Sequence, residues 1–155
     1  MKRYTIIAPL FALMLSINAH ATDDTSEYSQ MKGKALQDVF KNTKMLGEYK
    51  RYRKDTQTFS YTEFHNKNGT TDYKEGKSAN EPGVWKLIGD DKVCYKYPKS
   101  KRNTKTYCFF VYKFDKCYYK YSLGQMTLRG PRNWDDWSSR AVRKGDGGSC
   151  ATPLS

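Results

Sequence analysis

The chain has 155 residues, with 28 Lys and Arg against 16 Asp and Glu, a net charge of +12, and 15% aromatic residues. That length suits one domain with a single modest core rather than two. The charge speaks to partners and solubility, not to fold.

The first residues decide the expected compartment. Met1-Lys2-Arg3 is a short positive start, Tyr4 to Ile17 is largely apolar, and Ala19-His20-Ala21 places small residues where a signal peptidase reads. This pattern predicts a signal peptide over 1–21 and a periplasmic or secreted protein starting at Thr22. No later run is apolar enough for a transmembrane segment, and a monomer is expected. The polyanions outside the cytoplasm are envelope polymers, lipid headgroups and host glycans, so nucleic acid is not expected as a partner.

Residues 22–32 are polar and read as a flexible lead-in. From Gly33 the spacing turns helical, with Leu36, Val39, Phe40 and Leu46 near one face and Gly47 in a C′ position, which predicts a helix over 34–46. Beyond Gly47, β-branched and aromatic residues take over. Strands are expected over 48–53, 58–65, 72–77, 84–88, 92–97, 106–112 and 117–122. Asn68-Gly69 supplies a tight turn, and it accounts for the Asn68-Gly69-Thr70 sequon without glycosylation. The fold class that follows is mainly β, a small antiparallel up-and-down meander or barrel. A helix plus meander domain would span 33–123, and a helical, disulfide-tethered tail 124–155.

The stretch Lys92 to Tyr121 holds three of the four cysteines and more than half of the tyrosines. An even cysteine count in an oxidising compartment reads as two disulfides among Cys94, Cys108, Cys117 and Cys150. No C-x-x-C pair suggests zinc or thioredoxin chemistry. A hairpin centred on 99–103 sets Cys94 opposite Cys108, which leaves Cys117 for Cys150. The pairing Cys108–Cys117 with Cys94–Cys150 stays open if the second turn differs. Alternation puts Val93, Tyr95, Tyr97, Tyr107, Phe109, Val111 and Tyr118 on one face. The other face carries Cys94, Cys108, Phe110, Tyr112, Cys117, Tyr119 and Tyr121. Both faces want cover, one from the barrel interior and one from the tail. In the tail, Asn133 as N-cap, Trp134, Trp137 and Ala141 on one face, and Gly145 beyond Arg143-Lys144 predict a helix over 134–144.

No residue set spells out a reaction, and no motif implies a cofactor or a metal. His65 stands alone after the signal is removed and reads as a strand-end surface histidine. Glu48, Glu63, Glu75 and Glu81 read as surface carboxylates balancing lysine, although a fold can bring such groups together for hydrolysis. The candidate anion-binding surfaces are Lys50, Arg51, Arg53 and Lys54, and the loop bearing Lys99, Lys101, Arg102 and Lys105 flanked by Tyr95, Tyr97 and Tyr107. Cations beside aromatic faces suit phosphorylated or sulfated polymers.

The segments "NTKMLGEY" (42–49), "HNKNG" (65–69), "GVWKLIGDDKVCYKY" (83–97) and "CFFVYKF" (108–114) resemble a family of small exported alphaproteobacterial proteins, domain of unknown function 995. The resemblance covers 35–121 and implies an envelope location, a lipocalin-like meander and a Cys94–Cys108 bridge. It implies no activity. The expected function is therefore non-enzymatic binding, either of an anionic envelope polymer or lipid on the basic surface, or of a small amphipathic ligand inside the barrel. A secreted interaction or virulence factor that binds host polyanions is the alternative, and an envelope hydrolase the third.

Overall fold

A computed structural model describes residues 27–98 and 105–150. The expected signal peptide, the start of the lead-in and the loop residues Lys99, Lys101 and Arg102 lie outside the described residues. In chain order the elements are β1 (Ser29–Gln30), α1 (Gly33–Phe40), β2 (Thr43–Arg53), β3 (Thr58–His65), β4 (Thr70–Glu75), β5 (Glu81–Ile88), β6 (Lys92–Lys96), β7 (Thr106–Phe114) and β8 (Cys117–Ser122). A 3₁₀ turn (Leu123–Gln125), the short β9 (Met126–Thr127) and β10 (Gly130–Pro131), and finally β11 (Ser139–Arg143) complete the chain.

Strands β2 to β8 run up and down, each pairing with the next, and β11 sits between β8 and β2. Eight antiparallel strands thereby close into a barrel. Period-two alternation divides each strand between wall faces. Val93, Tyr95, Val111 and Tyr118 point inward to join Leu36, Val39, Phe40, Met45, Trp85 and Ala141 in the main core. Tyr112, Cys117, Tyr119 and Tyr121 point outward into a second cluster with Met126 and Trp137, covered by Tyr28, Trp134 and Cys150. The two expected faces of the 92–121 stretch are found, each with its own cover.

Helix α1 ends six residues earlier than the spacing predicted. Asn42 takes a left-handed conformation (φ 55°), which asparagine tolerates, and the chain enters β2 at Thr43. There Met45 is fully buried while Leu46 is 39% exposed, a strand alternation rather than a helical stripe. Gly47 is therefore mid-strand, not a helix cap. The helix plugs one end of the barrel through Leu36, Val39 and Phe40, each contributing about 1.5–3 kcal/mol by burial. Its first residue is tied to the β5–β6 turn by Gly33 N–H donating to the Asp90 carbonyl at 2.6 Å.

Two further expectations are corrected. Within the lead-in over 22–32, Ser29 and Gln30 join the sheet as β1. β1 pairs with β7, Met31 N–H donates to Val111 O at 2.8 Å, and Tyr28 stacks on Trp134 with centroids 4.5 Å apart. The helix predicted over 134–144 is absent. Asn133 uses its side-chain oxygen to accept Asp135 N–H in a turn, and Ser139–Arg143 becomes the closing strand. Its local helix signals lose to two unpaired strand edges, which offer β11 hydrogen bonds on both sides and a cross-strand ion pair, Arg140 Nε to Glu48 Oε1 at 2.6 Å.

The register sets Cys94 opposite Cys108, and both disulfides form as Cys94–Cys108 and Cys117–Cys150. The second anchors the tail across 33 residues of chain. Replacing Cys117 and Cys150 together by serine is expected to lower stability by about 3–4 kcal/mol through loop entropy. Urea unfolding of the oxidised proteins measures it, and an unchanged midpoint contradicts the tethering role.

Candidate functional site

The end of the barrel opposite α1 encloses a cavity of about 350 Å³. Its walls come from inward positions of β2 to β8 and of β11, and its rim from the β2–β3 turn at Asp55 and Thr56. The lining is rich in tyrosine, with Tyr49, Tyr61, Tyr73, Tyr95, Tyr97 and Tyr107 all facing in. Two glycines leave room for these rings. A Cβ on Gly47 would overlap the ring of Tyr61, its cross-strand partner, and one on Gly83 would lie 2.6 Å from Cδ1 of Tyr97. The rings lie flat over their glycines, so the centre of the barrel stays open.

At the floor, ionisable groups are deeply buried. Glu63 and Lys120 are 2% and 3% exposed, with Lys120 Nζ 4.0 Å from Glu63 Oε2. Glu63 Oε1 accepts from Tyr97 OH at 2.6 Å and Thr71 Oγ1 at 3.0 Å. Lys120 Nζ donates to Tyr95 OH at 3.0 Å and stands over the rings of Tyr95, Phe40 and Tyr61 at 4.6, 5.3 and 5.7 Å. Tyr95 OH lies 3.0 Å from His65 Nε2, and His65 Nδ1 lies 3.4 Å from the Thr43 carbonyl. With Nδ1–H donating to that carbonyl, Nε2 accepts the tyrosine proton, and the chain Lys120 to Tyr95 to His65 to Thr43 is consistent in direction.

Nearer the rim, Glu75 gathers a second set. It accepts from Thr56 Oγ1 at 2.6 Å and Tyr73 OH at 3.0 Å, and it pairs with Arg53 Nε at 3.3 Å. Tyr49 and Tyr73 share a hydroxyl–hydroxyl hydrogen bond, and Arg53 stacks over Tyr49 at 4.9 Å. Glu81 also lines the cavity, and its Oε1 is buried without a hydrogen-bond partner among the described residues.

Burial sets the protonation of this interior. It holds His65 down at about 3, with Lys120 adding to the effect, so the imidazole is neutral. Burial raises Glu63, while Lys120 and the bonds from Tyr97 and Thr71 oppose the rise. The Tyr95 and Tyr97 hydroxyls are pushed well up by burial and by the nearby Glu63 charge. Among the described residues no three His, Cys, Asp or Glu side chains converge as a metal ion would require.

Several sequence expectations are revised here. His65 is fully buried, not a surface residue, because its position shares the inward parity of Tyr61 and Glu63. Glu63, Glu75 and Glu81 line the interior rather than balancing surface lysines. Tyr95, Tyr97 and Tyr107 line the cavity. Arg53 turns to Glu75, while Arg51, Lys54 and Lys105 remain exposed and exposed Lys50 lies over Trp137 at 5.3 Å. Lys120 was missed altogether. The available signal was its place two residues from Tyr118 in an otherwise apolar strand, on the inward face. Comparison of the chain with family models, with curated proteins and with solved structures returns no match.

Neutral His65 makes acid stability diagnostic. Below 6.5 the unfolded chain takes up a proton that the native imidazole refuses until about pH 3. Stability therefore falls as pH drops through that window, by up to about 1.4 kcal/mol per pH unit. Raised Glu63 contributes with the opposite sign above the ordinary carboxylate range, so the comparison with a variant isolates the histidine. Urea unfolding of His65→Gln is expected to show a shallower loss between pH 6.5 and 4 than the parent. Equal slopes contradict a buried neutral imidazole.

Proposed function

We propose that the protein is an exported, non-enzymatic binding barrel that holds a small amphipathic molecule in its tyrosine-lined interior. The observation that carries this reading is the cavity of about 350 Å³, plugged at one end and lined by rings and by polar groups already oriented. That volume falls in the range of roughly 300–1,000 Å³ typical of small-molecule sites. A closed up-and-down barrel of eight strands is also the size that holds one small ligand in lipocalin-like proteins. The two disulfides and the secretory pattern of the first 21 residues support export. Among the described residues no helix is long and apolar enough to cross a membrane.

The occupied state of the interior carboxylates supports binding over hydrolysis. Glu63 and Glu75 each accept two hydroxyl hydrogen bonds and face a cation, so they act as anchors for the wall. Binding of an anionic polymer on the outer surface has less support, because the tyrosines expected beside the basic loop are turned inward.

Native mass spectrometry of protein taken from an exporting host tests this reading. A small-molecule adduct that leaves on denaturation is expected on the oxidised chain. Gly83→Ala, which drives Tyr97 off its wall, should lower the adduct while preserving both bridges. A bare parent chain that also fails to enhance the fluorescence of the neutral probe N-phenyl-1-naphthylamine overturns interior binding.

A further inference from the structure

The described lining of the interior does not share the basic character of the whole molecule. The chain carries +12 overall, yet among the described residues the cavity lining sets Glu63, Glu75 and Glu81 against two cations, Arg53 and Lys120. Both cations are committed to the wall. Lys120 faces Glu63 and sits on aromatic rings, and Arg53 pairs with Glu75 while stacking on Tyr49. An anionic ligand would have to break those pairs, and beside Glu81 it would meet a carboxylate with no hydrogen-bond donor on Oε1 among the described residues.

A cation meets the reverse conditions. Glu81 Oε1 is buried and, among the described residues, lacks a hydrogen-bond partner. A carboxylate oxygen removed from water without a donor is costly, so it favours any ligand that brings one. Glu81 lies opposite Tyr73 in the β4–β5 register, on the same face, and the Tyr73 and Tyr97 rings are 5.4 Å apart between centroids. The wall already seats one ammonium this way, since Lys120 Nζ stands 4.6 Å from the Tyr95 ring centroid. Tyrosine faces attract cations through their quadrupole, and more strongly when water is excluded.

From this geometry we infer that the ligand is a small organic amine, whose cationic group seats beside Tyr73 and Tyr97 against the Glu81 carboxylate. The inference rests on the reading that the interior is a binding site, and it adds the chemical class of the ligand. The ring or chain of the amine would fill the space above Tyr95 and Phe109, which line the deeper part of the same cavity.

Three probes of one shape separate the possibilities: 2-phenylethylamine, 2-phenylethanol and 3-phenylpropionate, titrated calorimetrically into the full oxidised protein. The amine is expected to bind about tenfold more tightly than the alcohol, with the carboxylate weakest. In Glu81→Gln, checked for unchanged near-ultraviolet circular dichroism, the amine should lose about that tenfold preference while the alcohol keeps its affinity. An alcohol equal to the amine, or a carboxylate above both, overturns the cationic class. So does binding of N-phenyl-1-naphthylamine without binding of the amine, an outcome that leaves interior binding itself intact. Failure of all four probes overturns both readings together. An amine preference that survives in Glu81→Gln overturns the assignment to Glu81.

Discussion

An inner wall made of tyrosines imposes one demand on everything around it. Each ring brings a hydroxyl into the barrel interior, and each buried hydroxyl needs a partner. Tyr97 finds Glu63, Tyr95 finds Lys120 and His65, Tyr73 finds Glu75 and Tyr49, and Tyr61 reaches Ser139 at 3.4 Å. The buried carboxylates, the buried lysine and the buried histidine are thus parts of one hydrogen-bonding scheme. Apolar side chains could fill the same barrel, but they would leave neither polar anchors nor an orientable cavity.

The outer side of the β7–β8 hairpin meets the same problem with a different solution. There Tyr112, Tyr119 and Tyr121 lie under Trp134, Trp137 and Tyr28 in edge-on and stacked contacts. Tyr121 OH donates to the Trp134 carbonyl at 2.7 Å, so the covering segment is bonded as well as packed. The segment after β8 is pinned again by Gln125, whose amide nitrogen donates to the Asp136 carbonyl and whose oxygen accepts from Ser122 and Ser138. A hairpin that is apolar on both faces is stable here because one face meets the cavity and the other meets this wrap.

Much of this was legible in the residues. The period-two pattern of 92–121 gave both faces, and the opposition of Cys94 and Cys108 followed from one turn position. What escaped was set by long-range pairing. Asn133 to Gly145 carries good local helix signals, yet the free edges of β2 and β8 decide its conformation. Lys120, Glu63 and His65 were hidden for a related reason. Charged side chains default to the surface, and only the parity of their strands against Tyr118 and Tyr61 marks them as inward. The cavity depends on Gly47 and Gly83, whose meaning emerges only once the tyrosines across from them are known.

The position of β11 has a consequence for how the molecule comes into being. Its residues, 139–143, form the seam between β8, its near neighbour in the chain, and β2, whose partner residues 45–49 lie far earlier. Without that late segment, β2 and β8 would each keep an unpaired edge. Such non-local closure is intrinsically slow, and bare edges invite pairing with other chains. A chain that crosses a membrane N-terminus first would therefore travel unfinished almost to its end, and its need for chaperoning would be greatest just before the last strand emerges.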